Sequence, residues 1–371
     1  MDGLEHLSDV EKLKLLKAIR VGCNTDEEFS KYIEMFAAGK DPAEVRRRVD
    51  GYFLEDEFAL YCLLSEVCSS ITPLGQSPIG NESLKIPDYL VTFRTERGEY
   101  SCFVEVKTTA KLETGKISNK MVESYKRFAA KYKLPLLFAS RVELYGDGLW
   151  ILQTVDEFER NGRAANIELY PKTSGFVLLD DFMITVETPF ELDAQYSREF
   201  REGAQHHPGL GYLTGLVAHT NEPITLYATS AKDAPASISF SDFQFLKLFF
   251  DRFQAPQSTR HCEYGVSIIK TVPRFWSKHF SGVLVTINRY LLDSDGVAHG
   301  ANPSRLLAKI ENGYNGYFTR TRLIRLIHEI NARAQAIAST SLFGNGELGE
   351  PADREKHLDM LFPETAKKFA E

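Results

Sequence analysis

Three side chains in the first third of the chain have the types and spacing that phosphodiester chemistry needs: Asp88, preceded by Pro87, and the pair Glu105 and Lys107. Hydrolysis of a phosphodiester calls for a divalent cation to hold a phosphate oxygen and a water, and for a group that assists the water's deprotonation or steadies the developing charge. Mg²⁺ is a hard ion that prefers oxygen ligands, so carboxylates are the expected side chains and an ammonium is a suitable companion. In a strand, alternate residues share a face. Glu105 and Lys107 therefore emerge side by side, while Val104 and Val106 point the other way into a core.

The elements that must position these groups are legible around them. Leu54, Phe58, Tyr61, Cys62 and Leu64 recur at three to four residues and predict an amphipathic helix from Gly51 to about Val67. A Pro-, Gly- and Ser-rich segment, TPLGQSPIGNES, reads as a loop. The runs IPDYLVTFR and YSCFVEVKTT, joined by the polar TERGE, predict a β-hairpin. Residues 118–132 return to helical spacing through Met121, Tyr125, Phe128 and Ala129, and LPLLFASRV and GLWILQTV predict two further strands. Helix, hairpin, helix, strand, strand implies an α/β sandwich around a mixed sheet.

This arrangement resembles the PD-(D/E)xK nuclease superfamily, whose restriction-endonuclease-like core carries its motif on a hairpin between two helices. The resemblance covers about residues 50 to 155. It implies that Asp88 and Glu105 bind Mg²⁺ or Mn²⁺, that the carbonyl of Val106 joins them, and that Lys107 engages the attacking water. Many members add a glutamate on the preceding helix, often four residues after a glycine. Gly51 and Glu55 fit that spacing, with Glu57 and Glu66 as fallbacks. Some members carry a further Gln or basic residue on the following helix, for which Lys120 or Tyr125 is the nearest equivalent. The Gln-x-x-x-Tyr form is not met, because Met121 stands where its Gln belongs.

Charge bears on the substrate. The formal net charge of -7 argues against a wholly basic surface. Between Lys107 and Lys133, however, eight basic residues face only Glu113 and Glu123. Lys111, Lys116, Lys120 and Lys126 in this run are candidate nucleic-acid contacts, since screening makes phosphate attraction local, over about 8–10 Å at physiological salt. A solvated helix face is the competing reading of the same run.

Around this centre, residues 1–50 predict an N-terminal helical segment, with helices from about residue 8, and residues 51–160 the nuclease-like domain. The polar stretch EFERNGRAANIE marks a boundary near residues 157–170. Residues 165–371 predict an α+β second domain that selects substrate, pairs subunits or receives a signal. There FVLLDDFMITVE, PITLYATS, YGVSIIKTV and SGVLVTINRYLL read as strands, and SDFQFLKLFFDRF and TRTRLIRLIHEINARAQAI as helices. The five cysteines lack zinc spacing and read as reduced core residues. Gly209, Gly211 and Gly215 are followed by no Lys-Ser/Thr and form no phosphate loop.

No run approaches the roughly 18 apolar residues of a membrane span, and the N-terminus lacks a signal-peptide pattern, so a cytoplasmic location is expected. The function expected is a metal-dependent endonuclease, with DNA favoured over RNA because most members of the resembled superfamily cut DNA. Restriction or phage defence is a plausible setting, and two-strand cleavage favours a homodimer. Two other readings compete. In one, Glu105 and Lys107 are an ion pair on a solvated sheet face. In the other, the domain is a catalytically inactive module of the same fold that binds nucleic acid or a protein partner.

Overall fold

The computed structural model describes residues 6–75, 84–94, 98–108, 117–165 and 173–219, apart from single positions and short turns within them. Beyond these it describes the stretches 223–228, 257–262, 265–272, 277–284, 319–325 and 339–341 and a few isolated positions. It is a mixed helix-and-sheet protein of two compact units. The first comprises residues 1–181, 284–317 and 343–371; the second comprises 182–283 and 318–342.

Three helices open the first unit: α1 (Asp9–Gly22), α2 (Asp26–Ala37) and α3 (Pro42–Leu64). Ser8 and Glu11 form a reciprocal capping box on α1. Asp41 caps α3 by accepting from the Ala43 amide, and Pro42 supplies a pre-set φ at its first turn. Leu13, Leu16, Phe29, Ile33, Phe36, Val45 and Val49 pack into one apolar cluster among these helices. The expected division at residues 50 and 51 falls inside α3. Gly51 is tolerated there, and the 23-residue helix carries the N-terminal cluster directly into the sheet-bearing part.

The sheet has the order β1 (Cys68–Pro73), β2 (Tyr89–Arg94), β3 (Glu99–Thr108), β4 (Leu136–Leu144) and β5 (Asp147–Thr154). All neighbours are antiparallel except β3 and β4, which run parallel through the connecting helix α4 (Asn119–Tyr132). The mixed α/β sheet expected from the sequence is therefore present. β1 is an addition: its CSSITP run is largely exposed and ends in Pro73, features of an edge strand that mimic a loop in sequence. Phe58 of α3 packs against Tyr89 and edge-on to Trp150, covering one face. On the other face Phe103 meets Phe128, Tyr125 meets Phe138, and Phe138 stacks on Phe158 of α5 (Val155–Arg160).

The expected boundary near residues 157–170 also lies within the first unit, which runs on through α6 (Ser174–Leu178). The run FVLLDDFMITVE is not one strand. Its first residues belong to α6, and among its described residues only β6 (Met183–Thr185) is strand. Ser174 at the head of α6 donates through its amide and hydroxyl to Glu157, the capping-box partner of Thr154 in α5, and that anchorage overrides the local strand propensity.

The second unit contains β7 (Phe190–Ser197), β8 (His206–His207), β9 (Gly211–His219), β10 (Pro223–Ala228), β11 (Gln257–Cys262) and β12 (Gly265–Val272). These form an antiparallel sheet ordered β10-β9-β7-β12-β11, with β8 paired to β9. A smaller sheet joins β13 (Ser277–His279), β6 and β14 (Ser339–Ser341). PITLYATS and YGVSIIKTV thus hold strands, whereas SGVLVTINRYLL begins as helix at residues 280–284. The expected helix at Thr319 is present over residues 320–325. SDFQFLKLFFDRF lies outside the described residues.

Candidate active site

β2 and β3 face each other with Tyr89 opposite Val104, so one further step in that register sets Asp88 opposite Glu105. The segment entering Asp88 is tied down twice. The Leu74 amide donates to the Asp88 carbonyl at 2.8 Å, and the Lys85 amide donates to Ser124 Oγ on α4 at 2.8 Å. The Asp88 carboxylate is buried and accepts from the Val106 amide at 2.8 Å. Val106 was expected to act through its carbonyl. The contact seen is through its N–H, which aims the aspartate at the site.

Glu105 is 2% exposed. Its Oε1 accepts from Lys107 Nζ and from the Tyr125 phenol, while Oε2 is buried with no hydrogen-bond partner among the described residues. Burial first, and then the neighbouring Asp88 charge, push the Glu105 carboxyl up to about 8, against the opposing pull of Lys107 and Tyr125. Burial pulls the Lys107 ammonium down, but Glu105, with Asp88 and Glu55 further off, outweighs it and holds the group above its ordinary value. Glu105 and Lys107 are ion-paired, as one of the competing readings expected, but the carboxylate half lies inside the protein and not on a solvated sheet face.

Glu55 on α3 joins the same cluster. Burial, then Asp88, push it up to about 8; Glu105 and Asp56 add to the rise and Lys17 of α1 opposes it. The fallbacks stand elsewhere. Glu57 is buried in an ion pair with Arg141 of β4 at 2.7 Å, and Glu66 sits at the left-handed turn after α3. Of the two candidates on α4, Tyr125 reaches Glu105, whereas Lys120 is exposed to solvent. The structure therefore brings together Glu55, Asp88, Glu105, Lys107 and Tyr125.

Two groups near the cluster escaped sequence reasoning. Lys17 lies far off in sequence, pairs with Asp56 at 2.5 Å and influences Glu55. Tyr52, whose phenol is pushed up by burial and by Glu55 and Asp88, stands one helical step before Glu55, a spacing that marks it as a neighbour once Glu55 is accepted.

The basic run is less uniform than its composition. Lys111 and Lys116 lie outside the described residues. Lys126 is paired with Glu123 at 2.8 Å and faces Glu159 at 3.6 Å, so much of its charge is already matched.

Among the described residues no group of three or more His, Cys, Asp or Glu side chains is arranged to hold a metal ion. The expected set has only two carboxylates, Asp88 and Glu105, and its fit to a cation is tested by Glu105 itself. A buried carboxylate oxygen without a donor, in a cluster of three carboxyl groups, is short of positive charge. A hard divalent ion such as Mg²⁺ or Mn²⁺ would match that deficit, and its preference for oxygen ligands suits the two carboxylates. No family model, curated protein or solved structure matches this chain.

Proposed function

We propose that this protein is a metal-dependent nuclease of the PD-(D/E)xK type, an endonuclease hydrolysing phosphodiester bonds, with DNA favoured over RNA. The observation that carries the reading is the buried Glu105 with one oxygen uncommitted, across from Asp88 and beside Lys107. The order α3, β2, β3, α4, β4, with the motif on the antiparallel pair and a parallel return, supports a restriction-endonuclease-like core.

Asp88 and Glu105 are the groups that would hold the cation. When bound, it supplies Lewis acidity that polarises the phosphodiester and acidifies a nearby water. Lys107 is 24% exposed, so its Nζ can turn from Glu105 toward a water at the mouth of the site. There the ammonium hydrogen-bonds the nucleophile and steadies the charge that develops on the phosphorane. Glu55, held protonated near neutrality by its surroundings, is placed to give or take a proton on the α3 side.

The test incubates purified wild type and Lys107→Ala with supercoiled plasmid, linear duplex, single-stranded DNA and RNA, each with Mg²⁺, Mn²⁺ or EDTA. Loss of substrate with wild type and metal only is expected. Equal metal-dependent cleavage by Lys107→Ala would overturn the assignment.

A further inference from the structure

The carboxylate of Glu105 is unevenly used. Among the described residues its two donors, Lys107 Nζ and the Tyr125 hydroxyl, both meet Oε1, and Oε2 has none. The terminal torsion of a glutamate is broad and two-fold, so an unanchored carboxylate rotates between its two oxygens. Lys107 alone is a poor anchor, because the role assigned to it above takes it away from Glu105.

We propose that Tyr125 is a positioning residue of the metal site: its phenol fixes the rotation of the Glu105 carboxylate so that Oε2 is the oxygen presented to a divalent cation, and holds it there when Lys107 turns to the water. The proposal rests on the reading that Asp88 and Glu105 hold that cation. Tyr125 is built for the task. Its ring is buried, packs edge-on against Phe138 with centroids 6.3 Å apart, and lies 5.7 Å from Lys107 Nζ. The adjacent Ser124 accepts from the Lys85 amide, so one turn of α4 touches both the segment that delivers Asp88 and the side chain of Glu105. The two prospective ligands are thereby held from the same helix.

Outer groups that orient a metal ligand typically contribute about 10–100-fold to metal affinity. The experiment titrates Mn²⁺ calorimetrically into wild type, Tyr125→Phe, Lys107→Ala and Glu105→Gln, with the melting temperature of each taken without metal. Phenylalanine keeps the ring and its contact with Phe138, so Tyr125→Phe is expected to melt like wild type yet bind Mn²⁺ about tenfold or more weakly. Lys107→Ala, in which Tyr125 is the remaining anchor of Oε1, is expected to bind as well as wild type, and Glu105→Gln not to bind. Wild-type affinity in Tyr125→Phe alongside loss in Glu105→Gln would overturn the positioning role and leave the site standing. A loss in Lys107→Ala as large as that in Glu105→Gln would also overturn it. Undiminished binding by Glu105→Gln would overturn the site and the proposal together.

Discussion

Replacing Glu105 by Gln should stabilise the metal-free protein at alkaline pH while removing its response to metal. The folded state holds the Glu105 proton up to about 8, whereas an ordinary glutamate releases it near 4.5. Between those values the folded protein binds a proton that the unfolded chain does not, so stability falls as pH rises through the window and the full penalty stands above it. At about 1.4 kcal/mol per unit, the ceiling is about 5 kcal/mol. Glu55 is partly exposed and shares the same charge cluster, so the carboxyls titrate together and a gain of about 1–3 kcal/mol is expected for one of them. Glutamine keeps an acceptor for Tyr125 and is neutral at every pH.

The assay is a melting series from pH 5 to 9, with and without Mn²⁺. At pH 5 wild type and Glu105→Gln should melt nearly together. At pH 8.5 the variant should melt higher, by about 2–4 °C per kcal/mol for a domain of 150–250 residues. Added Mn²⁺ should raise wild type, by about 2.7 kcal/mol at a hundredfold excess over Kd, and leave the variant unmoved. A variant that melts lower than wild type at pH 8.5 would refute the reasoning. It would show that Glu105 and Lys107 form a stabilising ion pair rather than a site held at a cost in stability.

Two further predictions separate structural from functional charges. Arg141→Ala should destabilise the first unit by about 3–5 kcal/mol in chemical denaturation, because Glu57 is 1% exposed and would be left buried without its guanidinium. In fluorescence binding of duplex DNA by a cleavage-deficient protein, Lys120→Ala should flatten the salt dependence by about one phosphate contact, and Lys126→Ala by less, since Lys126 already spends charge on Glu123 and Glu159. Equal effects of the two would show that these pairs open on binding.

Much of the first unit was legible because its signals are local. The hairpin around Glu105 announces itself by alternation of apolar and polar residues, and α4 by its spaced Met121, Tyr125, Phe128 and Ala129. What escaped depends on partners distant in sequence. β1 has a loop-like composition and becomes a strand through its pairing with β2. The break expected near residue 160 is a polar stretch that starts at a capped helix, and chain from beyond residue 283 returns to the same unit. Ser304, which donates to the buried Asp56, is one such return. The site shows the same division. Asp88, Glu105 and Lys107 are marked by type and spacing, but the hydrogen bonds that give them their orientation, from the Val106 amide and from Tyr125, are products of register and packing.

The charge of the chain then takes on a different weight. A net -7 argues against a basic coat, and the cluster of Glu55, Asp88 and Glu105 is itself hostile to a polyanion. That hostility belongs to the metal-free state. Two of the three carboxyls there are pushed up to about 8, as the protein avoids collecting like charges in a poorly hydrated place. In the proposed nuclease, a divalent cation held by Asp88 and Glu105 would supply the missing charge where the phosphate is to come. On the proposed reading, exchange of the Glu105 proton for that ion would make the site electrostatically approachable as well as reactive. If the proposed function holds, the net charge of -7 is no obstacle to it, because such a site needs no large basic surface at its centre.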